Sequence, residues 1–171
     1  MTPDTKDWTW VLARRCPDCG LDAAAVRPEE VPAYLRQAAL DLAGALRLPD
    51  PGRRPDPATW SPLEYACHVR DVFRLYSYRL GLMLSEDGPA FPNWDQDATA
   101  VAERYGEQDP AVVRTELTEA AAELAAGFDG VSGAAWDRTG NRSDGAKFTI
   151  ETFGRYFIHD PIHHWHDVQT S

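Results

Sequence analysis

The sequence predicts an all-α protein, an up-down four-helix bundle preceded by an irregular N-terminal arm. Apolar residues recur at helical spacing in four long segments, and clear helix start signals precede three of them. Segments rich in proline or glycine separate the four, and no convincing strand or internal repeat is present. At 171 residues the chain can form one domain with a sizeable core. We divide it into the arm, residues 1–28, and the bundle, residues 29–171.

The first helix is predicted from about Val31 to Arg47, because Pro32 suits a first turn and a stripe of apolar residues follows. The stripe consists of Leu35, Ala38, Ala39, Leu42, Ala45 and Leu46. The next stretch, residues 49–57, holds four prolines and a glycine, which exclude regular structure.

The second helix has the strongest start signal of the chain, Ser61-Pro-Leu-Glu64. The serine is an N-cap, the proline takes the first helical position, and the glutamate can reach back to the cap. The helix is predicted to run to about Leu84 with a wide apolar face, which is typical of a central bundle helix. His68 lies on that face, and Asp71 follows it by about one turn.

The second half of the bundle is predicted from two further capped helices. A loop at residues 88–97 carries Trp94, and a short helix is expected after it. The third long helix is predicted at residues 110–128, where an Asp-Pro pair supplies the N-cap and first position. After a glycine-containing connection, Thr149 caps the last helix, which is predicted to end near Val168.

The N-terminal arm contains the turn Cys16-Pro-Asp-Cys19-Gly20, and Trp8 and Trp10 are expected to hold the arm to the bundle. The spacing of the two cysteines is that of a zinc knuckle. A structural zinc site, however, normally has four ligands, and only one such pair is present. The pair therefore predicts a tight turn with two thiols or a reversible disulfide. A second metal site or a redox role is the alternative.

The charge of the chain excludes several classes of partner. The net charge of −10 argues against nucleic acid and against anionic membrane surfaces, both of which are bound by basic faces. No apolar run approaches the roughly 20 residues of a membrane span. The N-terminus is polar and acidic rather than a secretory signal, and three cysteines make no disulfide framework. We therefore expect a cytoplasmic protein.

The last helix carries four of the five histidines. His163 lies nearly above His159 on a helix, His166 lies close to the same line, and His164 points well away from it. Helices facing each other in a bundle combine their side chains into metal sites, and His68 is the one histidine outside the last helix. We therefore predict an open three-histidine site of His68, His159 and His163, with one coordination position for water or substrate. A satisfied core histidine is the alternative for His68, and a histidine at the rim or behind the ligands is the alternative for His166.

These histidine motifs resemble those of the DinB-like superfamily, over roughly residues 30–168. The matching stretches are Trp60-Ser-Pro-Leu-Glu-Tyr-Ala-Cys-His68-Val-Arg-Asp71 and His159-Asp-Pro-Ile-His163-His164. The family includes bacillithiol transferases and the N-terminal domain of mycothiol-dependent maleylpyruvate isomerase. The resemblance implies a DinB-like four-helix bundle, a divalent metal such as zinc or nickel on His68, His159 and His163, and chemistry with a low-molecular-weight thiol. It also allows a homodimer.

Several other residues are candidates for substrate binding or for orienting a ligand. Asp71, Asp160 or Asp167 can hold a ligating imidazole through its other ring nitrogen, although a solvated carboxylate is an equal alternative for the last two. Arg155 can clamp a substrate carboxylate, or pair with a neighbouring helix. Trp94 can close the mouth of the pocket or cap the core. Pro161 is predicted to kink the last helix between the proposed ligands.

The leading functional prediction is a metal-dependent transferase, or isomerase, that uses a mycothiol-type thiol and a small electrophile. Mycothiol is favoured because richness in Ala, Arg and Asp is typical of high-GC bacteria. A non-catalytic metal-binding or stress-response protein is the first alternative. A metal-dependent hydrolase is weaker, because Asp160 stands where the His-Glu-x-x-His motif has glutamate. The sequence assigns no catalytic residue beyond the metal ligands.

Overall fold

The computed structural model describes residues 8–171, so the first seven residues of the predicted arm lie outside the described part. The all-α prediction is confirmed. Five helices are present: α1 at Val31–Ala45, α2 at Pro62–Ser85, α3 at Gln96–Ala102, α4 at Pro110–Asp129 and α5 at Ile150–Thr170. The four long ones match the predicted helices to within a few residues at their ends.

The long helices begin where their capping residues stand. The Ser61 hydroxyl accepts from the backbone N–H of Glu64, whose carboxylate accepts from the backbone N–H of Ser61 at 2.8 Å. Asp109 and Thr149 cap α4 and α5 with their side-chain oxygens. Such caps satisfy backbone N–H groups that have no partner within the helix, and they therefore fix where each helix starts.

The packing of the bundle brings α2 beside α5. Helix α4 packs against both α1 and α2, and α5 packs against the same two helices from the other side. Gly154 allows close approach, because a Cβ there would lie 3.0 Å from Phe128 of α4 and 3.3 Å from Val31 of α1. Since α2 and α5 are neighbours, side chains on their facing sides can form one site.

A small sheet was not predicted. Its strands are β1 at Ala90–Phe91, β2 at Thr139–Arg142 and β3 at Lys147–Thr149, with β1 parallel and β3 antiparallel to β2. Strands of two to four residues are too short to show alternation in the sequence. The sheet fixes the loop after α2 against the chain that enters α5, because β3 ends at the residue that caps this helix.

The described part of the arm consists of short 3₁₀ turns that pack against α5. The rings of Trp8 and Trp10 lie 5.7 Å apart and both contact α5 at His159, as the sequence predicts for anchoring residues. Within residues 8–171, none of the helices combines the length and apolar character that crossing a bilayer requires.

Candidate metal centre

Three potential ligands meet between α2 and α5, and we call them the cleft group: His68, Asp160 and His164. Their ligand atoms all lie within 4.8 Å of one another. His68 is fully buried, and its Nε2 lies 3.5 Å from Oδ2 of Asp160. Nε2 of His164 lies 3.7 Å from the same oxygen. Two imidazoles and a carboxylate from facing helices therefore converge on one point.

The cleft group fits a divalent cation. Two N or O ligands at the usual distances from a tetrahedral zinc ion lie roughly 3.3–3.5 Å apart, close to the separations seen here. Nδ1 of His68 and Oδ1 of Asp160 are buried and have no hydrogen-bond partner. Buried polar atoms without partners are rare in folded proteins and call for an unseen water or ion. The converging atoms are Nε2 of His68, Oδ2 of Asp160 and Nε2 of His164, and the two unpartnered atoms lie elsewhere on the same side chains. The spacing of the converging atoms is therefore what supports a cation site.

The environment keeps these ligands in the forms that bind cations. Burial lowers the pKa of His68, so the ring is neutral at neutral pH. Burial acts to raise the pKa of Asp160, but the neighbouring imidazoles, first His68 and then His164, lower it to about 2. A neutral imidazole beside a carboxylate needs to lose no proton before it binds a metal.

A further carboxylate orients His164. Oδ2 of Asp167 lies 3.2 Å from Nδ1 of His164, on the opposite side of the ring from Asp160. A carboxylate in this position fixes the tautomer and the plane of a ligating imidazole. Of the three residues predicted to orient an imidazole, Asp71, Asp160 and Asp167, it is Asp167 whose position fits this role.

The cleft group opens into a cleft of about 980 Å³. Trp94 lies on its wall and stacks on the ring of His68, with centroids 5.5 Å apart and planes 16° apart. This position agrees with the prediction that Trp94 closes the mouth of the pocket, which was one of its two interpretations. A smaller pocket of about 320 Å³ lies between α1 and α4, and no histidine, cysteine or carboxylate lines it among the described residues. The larger cleft is therefore the place for chemistry.

Two arginines that the sequence analysis did not single out line the cleft. Arg79 is buried, its Nη2 donates to the carbonyl of Pro92 at 2.7 Å, and its Nε has no hydrogen-bond partner. Burial lowers the pKa of Arg79, although the group remains a cation at neutral pH. Arg142 donates to Asp144 and to the Tyr156 hydroxyl, and its charge is therefore largely paired.

His159 and His163 lie in a different group from the one predicted. They meet Cys16 and Cys19, and the ligand atoms of these four residues, which we call the arm group, all lie within 4.8 Å of one another. Among residues 8–171, the combination of His68 with His159 and His163 is not one of the groups that satisfy this distance. A metal on His68, His159 and His163 stays a prediction, and the distances between the described side chains favour the cleft group instead.

The difference between the predicted grouping and the two groups seen in the structure has a simple geometric cause. One residue turns a helix by about 100°, so Asp160 and His164 form a stripe of their own beside that of His159 and His163. Both stripes have the same four-residue spacing. His68 on α2 meets the Asp160 stripe, and the N-terminal arm meets the other. Which stripe faces α2 depends on how α5 is rotated in the bundle, and this is set by tertiary packing.

Three further predicted residues have other surroundings. Both oxygens of Asp71 accept hydrogen bonds, from Arg70 and from the hydroxyl of Tyr105 at 2.7 Å. Arg155 donates to the carbonyl of Val26 and pairs with Glu151, so it ties the arm to α5 instead of lining the cleft. His166 lies 6.3 Å from His163, measured between ring centroids, and belongs to neither group. Helix α5 continues through Pro161, and the predicted kink stays a prediction.

Comparison with known families and structures supports the fold and assigns the family. The sequence profile of the DinB superfamily matches residues 29–168. The chain is also similar in structure to YfiT from Bacillus subtilis, described as a probable metal-dependent hydrolase with an unusual four-helix bundle topology. The two share 22% sequence identity with a TM-score of 0.61, over 99% of this chain and 90% of that one. Comparison with curated proteins gave no match.

Proposed function

Because the chain belongs to the DinB superfamily, we propose that it is a metal-dependent transferase that attaches a low-molecular-weight thiol to a small electrophile. The observation that carries the proposal is the cleft group, three metal-type ligands on the wall of a cleft of about 980 Å³. A cleft of this volume has room for a thiol and a second small molecule. The family resemblance favours zinc or nickel as the cation and a mycothiol-type thiol.

The number of ligands supports catalysis over a structural role. Catalytic zinc sites have three protein ligands and keep one position for a water or a substrate, whereas structural sites have four. Bound by His68, Asp160 and His164, a divalent cation would supply Lewis acidity that lowers the pKa of a thiol or a water at that position.

The residues of the chain itself would position the reactants. Asp167 holds the plane of His164, and Trp94 covers the face of His68, so neither ring has to reorganise during the reaction. The guanidinium of Arg79, which lines the cleft, would bind a carboxylate of the thiol or of the electrophile. The S–H bond of the thiol and the C–X bond of the electrophile break, an S–C bond forms, and HX is released.

A thiol panel tests this proposal. Zinc- and nickel-loaded protein is incubated with mycothiol, bacillithiol, glutathione or cysteine together with an alkyl or aryl halide, and the S-conjugates are measured by mass spectrometry. We expect one thiol to react at least about 100-fold faster with wild type than with His68→Ala. Equal rates for the two proteins with every thiol would contradict the proposal and leave the non-catalytic metal-binding alternative.

A metal-dependent hydrolase is the second candidate, because YfiT is described in those terms and the same open position can hold water. The thiol panel separates the two if ester and amide substrates are included without any thiol. Hydrolysis that is lost in His68→Ala and unchanged by added thiol would favour this candidate.

A further inference from the structure

The arm group brings two cysteines and two histidines together from opposite ends of the sequence. Sγ of Cys16 lies 3.7 Å from Nδ1 of His163. The rings of His159 and His163 lie 4.9 Å apart, measured between centroids. A thiolate and an imidazole that share a tetrahedral zinc ion have donor atoms roughly 3.5 Å apart. These residues are far apart in the sequence but close in the structure, because the arm packs directly on α5.

The backbone of the arm holds the two cysteines in a tight turn. The backbone N–H of Gly20 donates to the carbonyl of Cys16 at 3.1 Å, and the N–H of Cys16 donates to the carbonyl of Leu21 at 2.8 Å. Gly20 has a φ of +76°, which side chains other than glycine adopt at a cost. The turn therefore presents both sulfur atoms towards α5 in the manner of a zinc knuckle.

A buried atom without a partner marks the centre of this group. Nε2 of His159 is buried and has no hydrogen-bond partner, although the ring lies beside two thiols. The tryptophans of the arm cover the imidazoles: the ring of Trp8 lies 5.3 Å from that of His159 and 5.3 Å from that of His163. Cys16 is also buried, while Cys19 is half-buried.

We infer that Cys16, Cys19, His159 and His163 form a second metal site, a four-ligand zinc site that fastens the N-terminal arm to α5. Two sulfur and two nitrogen ligands are a tetrahedral set typical of structural zinc, and soft thiolates disfavour magnesium and calcium. Four protein ligands leave no position for a substrate. This site is separate from the cleft group, and the inference does not depend on the proposed activity.

The site would also shape the cleft. Trp8 and Thr9 of the arm line the cleft, so fastening the arm completes one of its walls. Asp167 lies between the two groups, with Oδ1 3.8 Å from Nε2 of His163 and Oδ2 3.2 Å from Nδ1 of His164. A metal on His163 would therefore be joined through one carboxylate to the ring that serves the cleft group.

Cobalt substitution tests the inference directly. A coordinated thiol is deprotonated outright and gives a charge-transfer band only when its sulfur is bound to the ion, so this band reports the cation itself. We expect the cobalt-loaded wild type to show a thiolate-to-cobalt charge-transfer band and the intense visible bands of a tetrahedral site. Cys16→Ser should lose at least about half of the charge-transfer intensity and bind the metal more weakly, because Cys19 is then the one thiolate left in the site. His68→Ala and the buried-thiol control Cys67→Ala should keep the band.

Measurements on the wild-type protein keep the test valid if Cys16→Ser does not fold. Zinc is removed with a chelator and restored, while unfolding is followed by circular dichroism. We expect removal to lower Tm by about 10 °C and zinc to restore it, since a tightly bound metal stabilises only the folded chain. A wild type without the charge-transfer band, a band of unchanged intensity in Cys16→Ser, or a Cys16–Cys19 disulfide in zinc-treated protein would overturn the inference. If the cleft group bound no metal, the band would persist at about one equivalent, so the two proposals fail separately.

Discussion

The cleft group and the arm group use the same helix and the same four-residue spacing, yet they differ in what lies opposite. Asp160 and His164 face one histidine of α2, and His159 and His163 face a two-cysteine turn of the arm. The first set has three ligands and a large cleft beside it, and the second has four ligands covered by two tryptophans. The kind of metal site that two residues of a helix can form therefore depends on the element packed against them as much as on the two residues themselves.

The largest expected effect separates the two groups by a single substitution in the cleft group. His68→Ala removes a fully buried ligand of the cleft group and should reduce metal-dependent turnover at least about 100-fold. The metal content should fall from about two equivalents to about one, with the arm group still loaded. Elemental analysis and initial rates measure both, and His166→Ala is the control because His166 belongs to neither group. A loss of both metals in His68→Ala would show that the groups are not independent.

The next effect concerns the carboxylate that the two groups share. Asp167→Asn should weaken metal binding at the cleft group roughly 10- to 100-fold, because the amide no longer accepts strongly from His164. The effect on the arm group should be smaller, since the distance to His163 is 3.8 Å. Competition with a fluorescent chelator gives both affinities, and Glu123→Gln at an exposed position of α4 is the control. An equal loss of metal affinity at both groups would contradict the prediction that Asp167 acts mainly on the cleft group.

A smaller effect tests the anion-binding role of the cleft. Arg79→Lys should raise KM for an anionic substrate about tenfold and leave kcat unchanged, because lysine keeps the charge without the planar guanidinium fork. A neutral substrate should show no change. Arg74→Lys, at an exposed position of α2, is the matched control. If the anionic and neutral substrates respond alike, Arg79 acts on packing and not on substrate charge.

The smallest effect lies away from both groups and tests stability alone. Glu64→Gln should reduce the free energy of unfolding by about 1 kcal/mol at pH 7, since the carboxylate caps α2 and accepts from Nε of Arg54 at 2.8 Å. Burial acts to raise the pKa of Glu64, but Arg54 and the Ser61 cap lower it below its ordinary value of 4.5. A lowered pKa in the folded state gives stability above pH 4.5 that is lost as the pH falls.

Urea unfolding of wild type and Glu64→Gln between pH 3 and pH 7 measures this contribution. The two curves should converge at low pH, and metal content should stay the same in both proteins. A difference that persists at pH 3 would mean that the charge of Glu64 is not its cause.

Much of the fold followed from local signals in the sequence. Ser61, Asp109 and Thr149 stand at the starts of three long helices because side-chain caps act within one turn of the chain. The burial of His68 followed from its place on the wide apolar face of α2. The three-stranded sheet could not be predicted, because β1 pairs with a strand some 50 positions away. The locally paired β2 and β3 have only four and three residues, too few to show alternation.

Which residues form the candidate site depends on how α5 is rotated about its own axis, and local sequence signals do not determine that rotation. Asp160-x₃-His164 and His159-x₃-His163 have equal spacing. The spacing therefore does not decide which of the two pairs faces His68. The pairing of Cys16 and Cys19 with α5 is a contact across more than 140 residues, which helical periodicity cannot reveal. A single cysteine pair and a surplus of histidines were the signals in the sequence that two groups of potential ligands share α5.

The most direct test is a crystal structure of zinc-loaded protein with anomalous data collected on both sides of the zinc edge. We expect two zinc peaks, one bound by His68, Asp160 and His164 and the other by Cys16, Cys19, His159 and His163. A single peak bound by His68, His159 and His163 would contradict this account and restore the grouping predicted from the sequence.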